Sequence, residues 1–181
     1  MRFSSLHGMV CEGREALYHA TKDLGLTGFS GRGRGLLGAS EPGTEPTLGR
    51  GVYFFNDRGA AEELFWSLGH RDGEHRVVRA TVDGAVLDLS RPLSARTRDA
   101  AARIFGGRPA TGEDLYNAMA TRGLPAESFR RLAAAVGAVA IRYPSDGVGG
   151  WFVSDCPGEE TDWKLRTVVV YDPSSIRVAG T

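Results

Sequence analysis

Apolar positions along this chain follow two rhythms, and where one gives way to the other divides it into elements. Ala16–Thr21 reads as a short strand, and Val52–Phe55 as a second, held between Gly51 and the turn-like Asn56–Asp57. Over Arg58–Ser67 the spacing of Ala60, Ala61, Leu64 and Phe65, with Leu68 just beyond, predicts a helix. Val77, Val78, Ala80 and Val82 predict a strand over Arg76–Val82; Asp83–Gly84 is a hairpin signal, and Ala85–Leu89 returns as its partner strand. Three helices follow. Two span Ser94–Gly106 and Thr111–Ala120, the second with a start signal in Thr111-Gly112-Glu113-Asp114. The third spans Pro125–Val136 and is stopped by Gly137. Strands then resume at Val139–Arg142, Gly150–Val153 and Leu165–Tyr171, the last closed by Asp172-Pro173, with Ile176–Val178 as a short edge strand. Strands at both ends with helices between predict an α+β fold. Met1–Gly13 has little pattern and reads as a loosely held arm. Lys22–Leu48 is a connection rich in Gly, with Pro42 and Pro46; one of that length is usually functional or mobile.

Composition narrows the function classes. The 181 residues fit one domain, spanning 1–181 with helices inserted over 94–137, and suffice to bury a core. With 22 basic and 22 acidic residues the net charge is zero, so a general electrostatic grip on nucleic acid is not expected; Arg32, Arg34 and Arg50, and Arg130 with Arg131, remain as local clusters. Cys11 and Cys156 form no CxxC and no metal-like spacing; a single bridge between them stays open. There is no apolar run of membrane-spanning length and no signal-peptide plan at the N-terminus. The expectation is a soluble protein, cytoplasmic or exported by a route the sequence does not display.

Gly33-Arg-Gly35-Leu-Leu-Gly38 satisfies GxGxxG, but the segment Ser40-Glu41-Pro42-Gly43-Thr44-Glu45-Pro46 cannot continue as the helix a dinucleotide fingerprint needs. Three other segments carry more. Tyr18-His19-Ala20-Thr21 places a histidine and a hydroxyl in a strand that ends at once in the Gly-rich connection; alone, such a histidine is more often structural. In Gly49-Arg50-Gly51-Val52-Tyr53-Phe54-Phe55, glycine at a strand entry suggests close approach of a ligand or another backbone, and Tyr53 is either a stacking platform or core. Thr167-Val168-Val169-Val170-Tyr171-Asp172-Pro173-Ser174-Ser175-Ile176 alone is only a buried strand ending in a turn.

In this order the three segments resemble the diphtheria-toxin and poly(ADP-ribose) polymerase-like branch of the ADP-ribosyltransferases. The family pattern is a His-Gly-Ser/Thr strand, a Gly-x-Gly-[Ile/Val]-Tyr-Phe strand followed by a small-residue helix (here Ala60-Ala61), and a closing Glu-Tyr-[Ile/Val]-Val-[Tyr/Phe]-Asp strand. Asp146-Gly147-Val148 matches a step often found before the last strands. The resemblance implies a split, mostly antiparallel sheet with inserted helices, and NAD as co-substrate with no metal. It implies that His19 bonds the adenosine ribose, that the Ala20 backbone and the Thr21 hydroxyl hold the nicotinamide amide, and that Tyr53 stacks on the nicotinamide ring beside Gly51. Phe65 or Trp66 would close the sandwich, Gly28–Leu48 would be the donor loop over NAD, and Arg34, Arg32 or Arg50 would meet the pyrophosphate.

One departure matters. The family glutamate aligns with Thr167, which argues against chain elongation and points to mono-ADP-ribosyl transfer or to an inactive member. Asp88, flanked by apolar residues, is the candidate replacement carboxylate, by analogy with small rifampin-inactivating ADP-ribosyltransferases; its bland reading is a strand end or turn cap. Glu159, Glu160 and Asp162 are further candidates that also read as a solvated loop. The preferred expectation is a mono-ADP-ribosyltransferase acting on a macromolecule, protein rather than nucleic acid, as a bacterial toxin or effector with an immunity or antitoxin protein as partner. Modification of a small molecule such as an antibiotic, and an inactive NAD- or ADP-ribose-binding module, are the alternatives.

Overall fold

The computed structural model describes residues 9–10, 15–29, 48–67, 74–144 and 166–179. In chain order these form β1 (Met9–Val10), β2 (Leu17–Thr21), β3 (Val52–Phe55), α1 (Arg58–Ser67), β4 (Arg76–Val82), β5 (Val86–Asp88), α2 (Ala95–Phe105), α3 (Gly112–Arg122), α4 (Glu127–Val136), β6 (Ala140–Pro144), β7 (Arg166–Val170) and β8 (Ile176–Val178). The α+β class is as expected. The sheet order is β1-β5-β6-β7-β3-β2-β4-β8, antiparallel throughout except for the parallel pair β5–β6.

The helical insert forms for local reasons. Ser94 caps α2 by accepting the Thr97 N–H. Thr111 and Asp114 form a reciprocal capping box at the start of α3: the Thr111 hydroxyl accepts the Asp114 N–H, and the Asp114 carboxylate accepts the N–H of Thr111. The helix runs on past Ala120 to Arg122, until Gly123 turns left-handed at φ 63° and ends it. Phe105, Leu115, Phe129 and Leu132 are fully or almost fully buried. They pack with Leu87, Ile141 and Val169, so α2–α4 cover one face of β5, β6 and β7. Each such side chain contributes roughly 1.5–3 kcal/mol relative to exposure.

Two expectations are corrected. Asp83–Gly84 does not close a hairpin: β4 pairs with β2 and β8, whereas β5 pairs with β1 and β6. The turn's hydrogen bonds explain this. Asp83 N–H donates to Ser175 O at 2.7 Å, while Ala85 O accepts Val139 N–H at 2.9 Å, so the two ends of the turn are claimed by different elements. The expected arm over residues 1–13 is also partly tied, since Met9 and Val10 pair with Leu87 and Val86.

The short link from β4 to β5 fixes the sheet's shape. Four residues from Val82 to Val86 reach about 14 Å at most, yet five strand spacings in a flat sheet would separate those strands by about 24 Å. The sheet therefore curls over. Leu17, Ala80, Val82 and Ile176 from β2, β4 and β8 pack in one cluster with Val52, Phe54, Val86, Ala140, Val168 and Val170 from the other strands. The fold line is at β2–β3, which meet at the single residue pair Tyr18↔Phe55, whereas β2 pairs with β4 over five residues and β3 with β7 over four.

Candidate functional site

The three segments singled out in the sequence become neighbours. His19–Thr21 ends β2, Gly51–Phe54 enters and builds β3, and Thr167–Val170 lies in β7, in the spatial order β7-β3-β2. Past Tyr18↔Phe55 no further pair joins β2 to β3. Continued antiparallel register would set His19, Ala20 and Thr21 opposite Phe54, Tyr53 and Val52. Instead the ladder stops there, and the residues of two motif blocks border the unpaired stretch.

One side chain bridges it. His19 Nδ1 lies 2.8 Å from the carbonyl oxygen of Tyr53. A carbonyl only accepts, so Nδ1 carries the proton, and in the neutral ring Nε2 is left as an acceptor. Burial holds the His19 pKa below its ordinary value, opposed by this hydrogen bond, and the ring is neutral at pH 7. Phe29 meets the imidazole edge-on at 5.3 Å, and Phe54 lies 5.6 Å away.

The lowered pKa gives a stability signature. The unfolded chain takes up the His19 proton more readily than the folded one below pH 6.5. Its contribution is thus complete above pH 6.5 and is lost as pH falls from there toward the folded pKa. Urea midpoints at pH 7.5 and 5.5 are expected to differ more for the wild type than for His19→Gln; equal differences would show that His19 is not held neutral by the fold.

Tyr53 contributes its backbone to this unpaired stretch and its side chain elsewhere. Successive strand residues face opposite ways: Phe54 packs in the cluster between the folded halves, and Tyr53 in the cluster beneath α2–α4, 6% exposed. Its hydroxyl donates to Gly49 O at 2.9 Å and accepts Leu48 N–H at 3.1 Å. The imidazole and the phenol therefore do not share a pocket. Burial raises the Tyr53 pKa, keeping the phenol protonated. Gly51 is explained by the neighbouring strand β7 rather than by a ligand: a Cβ there would come within 2.6 Å of the Val169 side chain at Cγ1 and 2.9 Å of Val170 O.

The remaining candidates disperse. Thr167 is buried, paired in register with Phe55 and Tyr143, and alternation puts its side chain on the Val169 and Tyr53 side of β7. Ala20 packs with Tyr18 against Phe55 and Ala61, under α1. Thr21 Oγ1 accepts the Asp23 N–H at 3.1 Å. Phe65 and Trp66, near the end of α1, surround His75 at 5.1 and 4.6 Å and form an aromatic group next to Arg76, the register partner of Thr21. Arg50 is exposed, and its N–H donates to Glu127 at 2.8 Å. Arg32, Arg34, Asp146–Val148, Glu159, Glu160, Asp162, the Gly150–Val153 strand and both cysteines lie outside the described residues.

Asp88 belongs to a separate charged group. Its side chain is fully buried at the end of β5, where Oδ1 takes the N–H and hydroxyl of Ser90. Oδ2 lies 3.8 Å from Arg142 Nη1 and 3.6 Å from Arg91 Nε, beyond hydrogen-bond reach of either. Arg142 Nη2 in turn bonds Glu15. Asp88 thus sits at a strand end, where its Oδ1 caps the turn at Ser90.

Phe29 and Arg142 were not marked as functional in the sequence. Phe29 had one available signal, being the sole aromatic between Lys22 and Leu48. Arg142 had none, because its partners come from distant segments. Among the described residues no helix is long and apolar enough to cross a membrane, and no three His, Cys, Asp or Glu residues gather to hold a metal ion.

No family model matches this chain, and no curated protein or solved structure matches it either.

Proposed function

We propose that the unpaired stretch between β2 and β3 is an NAD site and that the protein transfers a single ADP-ribosyl group from NAD to a macromolecular acceptor, as a toxin or effector would. The observation that carries this reading is the convergence of three short blocks, far apart in sequence, on adjacent strands β2, β3 and β7, with two of them bordering the stretch where β2 and β3 share only the pair Tyr18↔Phe55. The curl about that point is the feature read here as the split sheet of an ADP-ribosyltransferase.

The residues present suit part of NAD. Neutral His19, oriented by the Tyr53 carbonyl, offers Nε2 as acceptor to a ribose hydroxyl. The edges of Ala20–Thr21 and Gly51–Tyr53 are backbone of the kind that pairs with a carboxamide. Tyr53's ring does not suit the stacking role in this arrangement, because it is packed beneath the helices. NAD supplies the chemistry itself: the bond between nicotinamide and ribose breaks with its electron pair leaving on nicotinamide, an acceptor heteroatom bonds the anomeric carbon, and the acceptor's proton goes to solvent. The protein's part is to orient the dinucleotide and exclude competing water.

A second reading, an NAD-binding module without transfer, is favoured by Thr167 at the glutamate position and by Asp88's engagement with Arg142 and Arg91. Incubation with NAD labelled in its adenylate moiety and with cell lysate separates the two. Label in the protein fraction with release of nicotinamide is expected. Label in nucleic acid or small molecules would redirect the acceptor. Binding without nicotinamide release would leave the module.

A further inference from the structure

The turn that feeds β3 has an unusually complete set of side-chain partners. Leu48 N–H donates to Tyr53 Oη at 3.1 Å, and Tyr53 Oη donates to Gly49 O at 2.9 Å. Leu48 O accepts from Tyr171 Oη at 2.6 Å, and Arg50 N–H donates to Glu127 Oε1 at 2.8 Å. Four main-chain polar groups of Leu48–Arg50, two donors and two acceptors, are thus held by three side chains from β3, the end of β7 and the start of α4. Gly49 sits against α4 at φ 85°, where a Cβ would come within 3.0 Å of Ala126 O.

This is more than local tidiness, because of where the turn leads. Two residues beyond it lies Gly51, and two further lies the Tyr53 carbonyl that fixes the His19 proton on Nδ1. Tyr53 therefore acts at both ends of one short span: its hydroxyl ties down the turn and its carbonyl orients the imidazole. Burial raises the pKa of both Tyr53 and Tyr171, so the two phenols stay protonated and can donate throughout the physiological range.

We infer that Tyr53 and Tyr171 are positioning residues, a hydroxyl latch on Leu48–Gly49 that sets the β3 edge of the proposed NAD site, and that Tyr53 acts through this latch rather than by stacking. The inference rests on the NAD reading for its functional consequence, but the latch itself is testable without NAD. Tyr53→Phe and Tyr171→Phe keep the rings and remove only the hydroxyls, so a stacking or packing role predicts no change.

The test combines amide hydrogen exchange with steady-state kinetics on both variants of the full chain. Removing the Tyr53 hydroxyl is expected to speed exchange at the Leu48 amide about three- to ten-fold, the effect of losing one hydrogen bond. In both variants the KM for NAD is expected to rise by a similar factor, with a smaller change in kcat. Unchanged exchange at Leu48 in Tyr53→Phe would overturn the latch. Faster exchange with an unchanged KM in both variants would reduce the latch to a structural tie and overturn the positioning role. A wild-type protein with no affinity for NAD would overturn the NAD reading and the positioning role together, while the exchange data would still decide the latch.

Discussion

Replacing Arg142 by methionine is expected to destabilise the fold by about 3–5 kcal/mol, the range seen when one member of a buried ion pair is removed. The Asp88 side chain has no exposure, and of the cations beside it among the described residues Arg142 is 11% exposed, whereas Arg91 is 64% exposed and lies in a screened environment. Without Arg142, Asp88 keeps its two bonds from Ser90 but its charge stays buried, with Oδ2 still lacking a hydrogen bond. Glu15 also loses its partner, which removes a tie between the segment entering β2 and the strand β6. For a chain of this size the loss corresponds to a fall in Tm of about 6–20 °C. Adding Asp88→Asn to Arg142→Met is expected to recover a substantial part of it, because the uncompensated charge goes with the aspartate. Urea unfolding of the two single variants and the double variant checks this. A loss below about 1 kcal/mol in Arg142→Met would mean that Arg91 and solvent suffice for Asp88, and that the Asp88 carboxylate is free for another task.

The second large effect is on function. His19→Ala is expected to lower nicotinamide release from NAD at subsaturating concentration by about ten- to a hundred-fold, in line with the loss of one ligand hydrogen bond and of the contact that joins β2 to β3. Two interactions vanish with this ring: the bridge to the Tyr53 carbonyl and the Nε2 acceptor. The Phe29 and Phe54 rings that border the imidazole would be left around a void. Far-UV circular dichroism and the urea midpoint distinguish loss of the site from loss of the fold. A folded His19→Ala variant with wild-type nicotinamide release would remove His19 from the account.

The elements were legible because each follows its own hydrophobic period. α2, with Ser94 at its cap, and α3, with Thr111 and Asp114, carry start signals in the sequence itself. What joins to what was not legible. Asp83–Gly84 has the composition of a hairpin turn, yet Ser175 and Val139, from remote parts of the chain, take its hydrogen bonds. Val52-Tyr53-Phe54-Phe55 is buried at every position, so no alternation of apolar and polar residues tells which way Tyr53 points. Its placement beneath the helices depends on Leu48 and Gly49 meeting the phenol. Asp88 was visible as a carboxylate among apolar neighbours, but its meaning is set by Arg142, aligned with it only through the parallel pairing of β5 and β6. His19 and the Gly51–Tyr53 segment were chosen as site markers from their types and order. That they border the stretch where β2 and β3 pair at a single position follows from pairing that no local pattern encodes.

The central claim is that NAD is held at the unpaired stretch between β2 and β3. Titrating the isotopically labelled protein with NAD and following its amide resonances tests this most directly. The account predicts saturable shifts concentrated at Ala20, Thr21, Gly51 and Tyr53, with the His19 ring responding through Nε2 while Nδ1 stays protonated. Shifts confined to the Ser90, Arg91 and Arg142 region, or none at millimolar NAD, would contradict it.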